Sequence, residues 1–379
     1  MDWAKNVVDP LNEQAELITR LALESTSINN TGARQVAETG DDPHSQTNET
    51  RTPKNLSPEK TSRSNSTSTV PTSNIGKLFA ISDLHLSFGS NCKFWADLES
   101  HPDDGLILAG DIGETEDHLE LAFSSATKHF NQVWWCPGNH ELYSVPKSLT
   151  ITASRNSALR GEAKYMDCVE IARRYQVLTP EDDFVIWNGD GGPLLITPIF
   201  TLYDYSFAPD EVPLGEAVSW AKELGIEATD EKLLHPDPYK SKAEWCSALV
   251  SKFDQKLDQA VRDNPDVPLV IVNHWPLRRD TVRLFQYPRF IIWCGTRKTE
   301  DWHARFNAKV VVTGHIHIRR TDWIAWGDSW TRFEEVSMGY PRQWKDAAER
   351  GLDINELLRE ISPGPSRTGF GETRFRRYG

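Results

Sequence analysis

The chain is short of cysteine, of positive charge and of long apolar runs. Its 379 residues include five cysteines, Cys92, Cys136, Cys168, Cys246 and Cys294. The number is odd and no two have CxxC spacing. That argues against a zinc ribbon or a disulfide framework and fits reduced thiols in a cytoplasmic protein. Acids outnumber bases by 55 to 42, for a formal net charge of −13. General affinity for nucleic acid is therefore not expected. No stretch approaches the ~18–20 apolar residues that cross a membrane. The opening residues, Met1 to Asn6, carry an acid and no long apolar run, unlike a secretory or transit peptide. Hydrophobic residues make up 38% of the chain and mean hydropathy is −0.53, so part of it is solvated. Fourteen Trp and 15 Phe are enough to pack a core in the rest.

What is present divides along the chain. Residues 1–74 read as a largely disordered region. It has one short amphipathic helix pattern between Leu11 and Leu23, followed by a stretch rich in Ser, Thr, Asn and Pro. Residues 75–362 read as one folded domain, and 363–379 as a loose Gly- and Arg-rich tail. Inside the domain, five apolar runs of four or five residues are bounded by Gly, Pro, Asp or Asn. They are Lys77 to Ile81, Leu106 to Ala109, Val133 to Cys136, Leu269 to Val272 and Val310 to Thr313. Each has the composition of a buried strand. A sixth strand is expected over Arg332 to Ser337, and helical patterns cover Asp117–Phe130 and Lys242–Asp263. Strands alternating with helices imply an α/β layered fold.

The residues after each run carry the chemistry. They are Asp83 and His85, then Gly110 and Asp111, then Gly138, Asn139, His140 and Glu141, then Asn273 and His274, and last Gly314, His315 and His317. Ligand sites in open α/β sheets lie beyond the carboxyl ends of the strands. Five strand ends would thus aim Asp, Asn and His side chains at one place. Mixed imidazole, carboxylate and amide donors suit Mn, Fe or Zn better than an all-oxygen Mg or Ca cage. Any single Asp-x-His is common by chance. The ordered set of five, each after a strand, is not. Asp301 and His303 repeat the spacing without following a strand, which points to a supporting or structural role.

The string Asp-x-His, Gly-Asp, Gly-Asn-His-Glu, His, Gly-His-x-His resembles the signature of calcineurin-like metallophosphoesterases across residues 77–320. That family folds as a four-layer β-sandwich flanked by helices. The resemblance implies two divalent ions. Asp83, His85, Asp111 and His317 would hold one. Asp111 would bridge to a second held by Asn139, His274 and His315, and His140 would serve the leaving group. Two such ions lower the pKa of a shared water and clamp both sides of an in-line displacement at phosphorus.

The substrate is read from the rest of the chain. Ser/Thr protein phosphatases of this superfamily continue Gly-Asp with a Val-Asp-Arg-Gly-like run. Here Ile112, Gly113, Glu114, Thr115 and Glu116 follow, without the Arg. Blocks such as Leu202 to Phe207, Asp230 to Tyr239, Trp293 to Thr296 and Arg332 to Arg342 are similar to bacterial 4'-phosphopantetheinyl hydrolases, over residues 77–345. Those enzymes cleave phosphopantetheine from the serine of a holo carrier protein. An acidic carrier protein would suit the segment 273–320, which holds 10 basic and 3 acidic residues, against 16 and 32 in 75–272. Arg278, Arg279, Arg283, Arg289, Arg297, Arg319 and Arg320 lie in it. A solvated face is the plainer reading of that charge. Tyr203, Tyr205, Phe207, Trp275 and Trp293 could line a groove or simply pack a core. A cyclic-nucleotide or other small-molecule phosphodiesterase, and a non-catalytic scaffold, are the alternatives.

Overall fold

The structure is a computed structural model. It describes residues 76–145, 158–367, 373–376 and 378. The expected region 1–74, with its helix pattern, lies outside the described residues.

Strands pair into two sheets. One has the order β10-β1-β2-β3, with β1 at Leu78–Ile81, β2 at His101–Leu108, β3 at Phe130–Trp135 and β10 at Arg359–Ser362. The other has the order β11-β8-β9-β7-β6-β5-β4. Its members are β4 (Val185–Trp187), β5 (Leu194–Pro198), β6 (Leu269–Val272), β7 (Ala308–Thr313), β8 (Arg320–Trp326), β9 (Ser329–Glu335) and β11 (Thr373–Phe375). Parallel pairs run through β1-β2-β3 and β5-β6-β7-β9, and antiparallel strands close the edges.

Period-two alternation explains the layering. Ala80, Ile107, Trp134, Ile196, Val270, Val272, Val310 and Val312 share one buried cluster drawn from both sheets. Their neighbours Ile81, Leu108, Val133, Trp135, Leu195, Ile271 and Val311 belong to a second cluster, packed under the helices. The central strands are apolar on both faces because each face meets a layer. The helix Lys242–Asp263 covers one outer face through Trp245, Leu249, Phe253 and Leu257, four residues apart, and Ser241 caps it by accepting from the Glu244 amide. The expected four-layer sandwich is thus the observed fold.

Two expectations need correction. The segment after residue 362 is not wholly loose. Thr373–Phe375 pairs with β8, and Arg376 donates from its backbone to the Arg319 carbonyl (2.7 Å). Ion pairing accounts for this: Arg376 lies 3.3 Å from the buried carboxylate of Glu334. Also, Arg319 and Arg320 do not form a basic surface. Both are buried, with Arg319 donating to the carbonyls of Ser337 and Leu357, and Arg320 to Asp322.

Candidate metal centre

The two sheets meet at the carboxyl ends of their parallel strands. Ser82 pairs with Ser337 in a parallel bridge, and the Met338 and Gly339 amides donate to the Ser82 and Asp83 carbonyls (2.7 and 3.0 Å). The Asp83 and His85 amides donate to the Gly110 and Asp111 carbonyls (2.9 and 3.0 Å), and the Gly314 amide to the His274 carbonyl (3.0 Å). These links hold the strand-end loops against one another. The turns are tight enough that Asp83, His85, Asp111, His315 and His317 all have positive φ, between 42° and 72°. Asp and His tolerate that region better than most residues, but each such position costs about 1–3 kcal/mol and persists only where its surroundings enforce it.

The structure brings the seven expected ligands into two adjoining groups. Asp83, His85, Asp111 and His317 form one, and Asp111, His274 and His315 the other. Asp111 belongs to both. Asn139 Oδ1 joins the second group, 3.1 Å from His315 Nδ1. Asp83, His85 and His274 are fully buried, and the rest nearly so except for the half-buried His315. Close backbone approach makes the room: a Cβ on Gly138 would fall on Asp111 Oδ1, and one on Gly314 on Asp83 Oδ2.

The hydrogen bonds fix which ring nitrogens face inward. His274 Nδ1 donates to the Ala109 carbonyl (2.9 Å), which can only accept, so its Nε2 faces Asp111 Oδ2, 3.4 Å away. His317 Nδ1 donates to Gln343 Oε1 (3.0 Å), an oxygen that also accepts the Tyr340 amide (2.8 Å). His317 Nε2 then sits 2.8 Å from Asp83 Oδ1 and 3.2 Å from His85 Nε2. Such a concentration of buried lone pairs is stable only around protons or cations. The donor set therefore fits divalent ions. Asp83 is itself anchored by the Ser82 and Ser337 hydroxyls (2.5 and 2.7 Å).

Wherever no cation is bound, protons balance the buried carboxylates. Burial opposes a charged His274, but Asp111 outweighs it and lifts the pKa to about 10. Burial holds His85 down to about 3, helped by His140, and His315 down to about 3, helped by His274.

His140 stands beside this cluster. Its Nδ1 donates to Glu114 Oε1 (2.7 Å) and its Nε2 is 3.9 Å from Asp111 Oδ2. Burial opposes its charge, yet Asp111 and Glu114 raise its pKa to about 9. Glu114 was not singled out by the sequence as a functional residue. Its position three residues past Asp111 was the available signal. Glu141, part of the sequence motif, has an orienting role, and two further residues, Gln343 and Tyr340, were not singled out by the sequence as functional. Glu141 accepts from the Asp111, Ile112 and Gly138 amides (3.0, 2.9 and 2.9 Å). Gln343 orients His317, and the Tyr340 ring stacks on His85 with centroids 4.3 Å apart.

Other candidates fall elsewhere. His303 lies in the short helix Trp302–Arg305, against Phe333, and joins neither group. Tyr203, Phe207, Trp275 and Trp293 are core residues, and Tyr205 is half-buried with its hydroxyl donating to Glu231. Arg278, Arg289 and Arg297 pair with Asp280, Glu223 and Asp210, and Arg279 donates to the Phe207 carbonyl. Arg283 is exposed.

The calcineurin-like phosphoesterase family profile matches residues 76–319. The acyl-carrier-protein phosphodiesterase PptH of Mycobacterium tuberculosis is 42% identical over 290 residues, which are 76% of this chain and 84% of that protein. The crystal structure of the phosphopantetheinyl hydrolase PptH from the same organism matches with a TM-score of 0.69 at 40% identity, covering 78% of this chain and 99% of the other.

Proposed function

The chain belongs to the calcineurin-like phosphoesterase family, and from that premise we propose that it removes 4'-phosphopantetheine from the serine of a holo carrier protein by hydrolysing the phosphodiester. The observation that carries the reading is the joining of two groups of buried Asp and His side chains through Asp111, together with the extent of the likeness to PptH. Asp83, His85, Asp111 and His317 are assigned to one divalent ion, and Asp111, Asn139, His274 and His315 to a second. Mn, Fe or Zn suits these donors. When bound, the pair would supply an activated water and neutralise charge on the phosphoryl oxygens.

The chain's own residues do the rest. Asp111 and Asp83 provide fixed negative charge that a cation needs, and His274 and His317 present lone pairs because their Nδ1 hydrogens are committed. Glu114 fixes the tautomer of His140, leaving Nε2 toward the site. His140 holds the proton that the departing serine alkoxide requires, and catalytic acids of this kind contribute about 10²–10⁴-fold. The catalytic unit in this reading is 75–362, with β11 added to it, in a cytoplasmic setting that keeps the five thiols free. Among the described residues, no helix is long and apolar enough to cross a membrane.

Intact mass spectrometry of a holo acyl carrier protein incubated with the enzyme and Mn²⁺ tests this. Loss of the phosphopantetheine mass with wild type, and not with Asp111→Asn, is expected. An unchanged carrier mass, alongside hydrolysis of a generic phosphodiester, would replace the carrier protein with a small-molecule substrate.

A further inference from the structure

Asp230 lies some ninety residues from Asn139 in sequence and outside the strand-end motifs, on the short helix Asp230–Leu233. Its carboxylate is 2% exposed. Oδ1 accepts from the Tyr143 hydroxyl (2.6 Å) and from Asn139 Nδ2 (3.1 Å), and the Tyr143 oxygen accepts from the same Asn139 nitrogen (2.9 Å). A carboxylate can only accept, so the Asn139 amide has one possible orientation. Its nitrogen faces Asp230 and Tyr143, and its oxygen faces His315 Nδ1 at 3.1 Å. Backbone pairing makes the arrangement rigid: Tyr143 bridges Leu234, and the Ser144 amide donates to the Leu233 carbonyl (2.9 Å).

We propose that Asp230 is a positioning residue for the second cation, acting through Asn139 and setting that ion's affinity independently of the first. The inference rests on the dinuclear reading above. Without Asp230 the amide is free to turn, and its NH₂ would replace the oxygen ligand with a dipole of the wrong sign. The first group has a separate orienting contact, from Gln343 to His317. Partners that orient metal ligands are typically worth about 10–100-fold in affinity.

The test is a titration of the chelator-stripped full chain with Mn²⁺, followed by calorimetry and by metal content after dialysis. Wild type should take up two equivalents. Asp230→Ala should keep the first at wild-type affinity and bind the second about 10–100-fold more weakly. Asp230→Asn, which keeps an acceptor oxygen, should fold as wild type and lose less. Wild-type affinity for both equivalents in both variants would overturn the proposal. So would equal weakening of both sites with a lowered melting temperature of the stripped protein, since Asp230 would then only support the fold. A wild type that binds fewer than two equivalents would instead remove the dinuclear reading, and this inference with it.

Discussion

Among the histidines at the strand ends, His140 is distinguished by its partner. His274 and His317 commit Nδ1 to a carbonyl or amide oxygen, whereas His140 commits it to a carboxylate, Glu114 Oε1. A neutral acceptor at Nδ1 leaves Nε2 able to give up its proton to a competing cation. A buried carboxylate favours a ring that keeps its proton. Burial alone would raise the Glu114 pKa, but His140 outweighs it and brings it down to about 2, so the pair holds as imidazolium and carboxylate. His140→Ala should therefore retain metal and lose about 10²–10⁴ in kcat. Glu114→Gln should lose about 10–100-fold, again without loss of metal. Parallel measurement of metal content and phosphodiesterase rate checks both. Full activity in His140→Ala would remove the acid role from this residue.

At the scale of elements, the strands that carry ligands were the legible ones. β1 and β6, and the carboxyl-terminal residues of β2, β3 and β7, are buried apolar runs, and the polar residue after each run marks the site. The helix Lys242–Asp263 was legible for the same reason, through a clean four-residue spacing of large apolar side chains. Of the missed strands, β4, β8, β10 and β11 are short or mixed in composition, whereas β5 (Leu194–Pro198) is a fully buried run that sequence reading passed over. β8 begins with Arg320, whose guanidinium is buried on Asp322. A charge that is paired only by the fold reads in sequence as a surface charge, which is why the basic segment overstated the docking face. Glu114, Gln343 and Asp230 were hidden likewise, because what they orient is far away in sequence or visible only as geometry. The strand-end turns also carry their own prediction. A methyl group at residue 138 would occupy the space of Asp111 Oδ1, so Gly138→Ala should displace the carboxylate shared by both groups. Metal analysis should show both equivalents weakened and calorimetry a loss of roughly 1–3 kcal/mol of stability, as for other overpacked sites. Unchanged metal content would mean that the loop relaxes without moving Asp111.

On the scale of the whole molecule, the site is a seam that closes the sandwich, since β1 and β9 meet at the Ser82–Ser337 bridge and Asp83 accepts hydrogen bonds from both sides of it. Cations should therefore stabilise the fold as well as the reaction. In the stripped protein that task falls to the protons on His140 and His274, with pKa values of about 9 and about 10. Both exceed the ordinary histidine value of about 6.5. Their contribution is whole below that pH and disappears as the pH rises through 9 and 10. The melting temperature of the stripped protein should fall between pH 7 and 10 more steeply than that of the Mn²⁺-loaded protein. Parallel profiles would contradict the charge-substitution view. The most direct test of the centre is anomalous diffraction from crystals grown with Mn²⁺. Two peaks are expected. One should lie at coordination distance, about 2.0–2.2 Å, from Asp83, His85, Asp111 and His317, and the other from Asp111, Asn139, His274 and His315. A single peak, or peaks away from Asp111, would contradict a shared dinuclear centre at the strand ends.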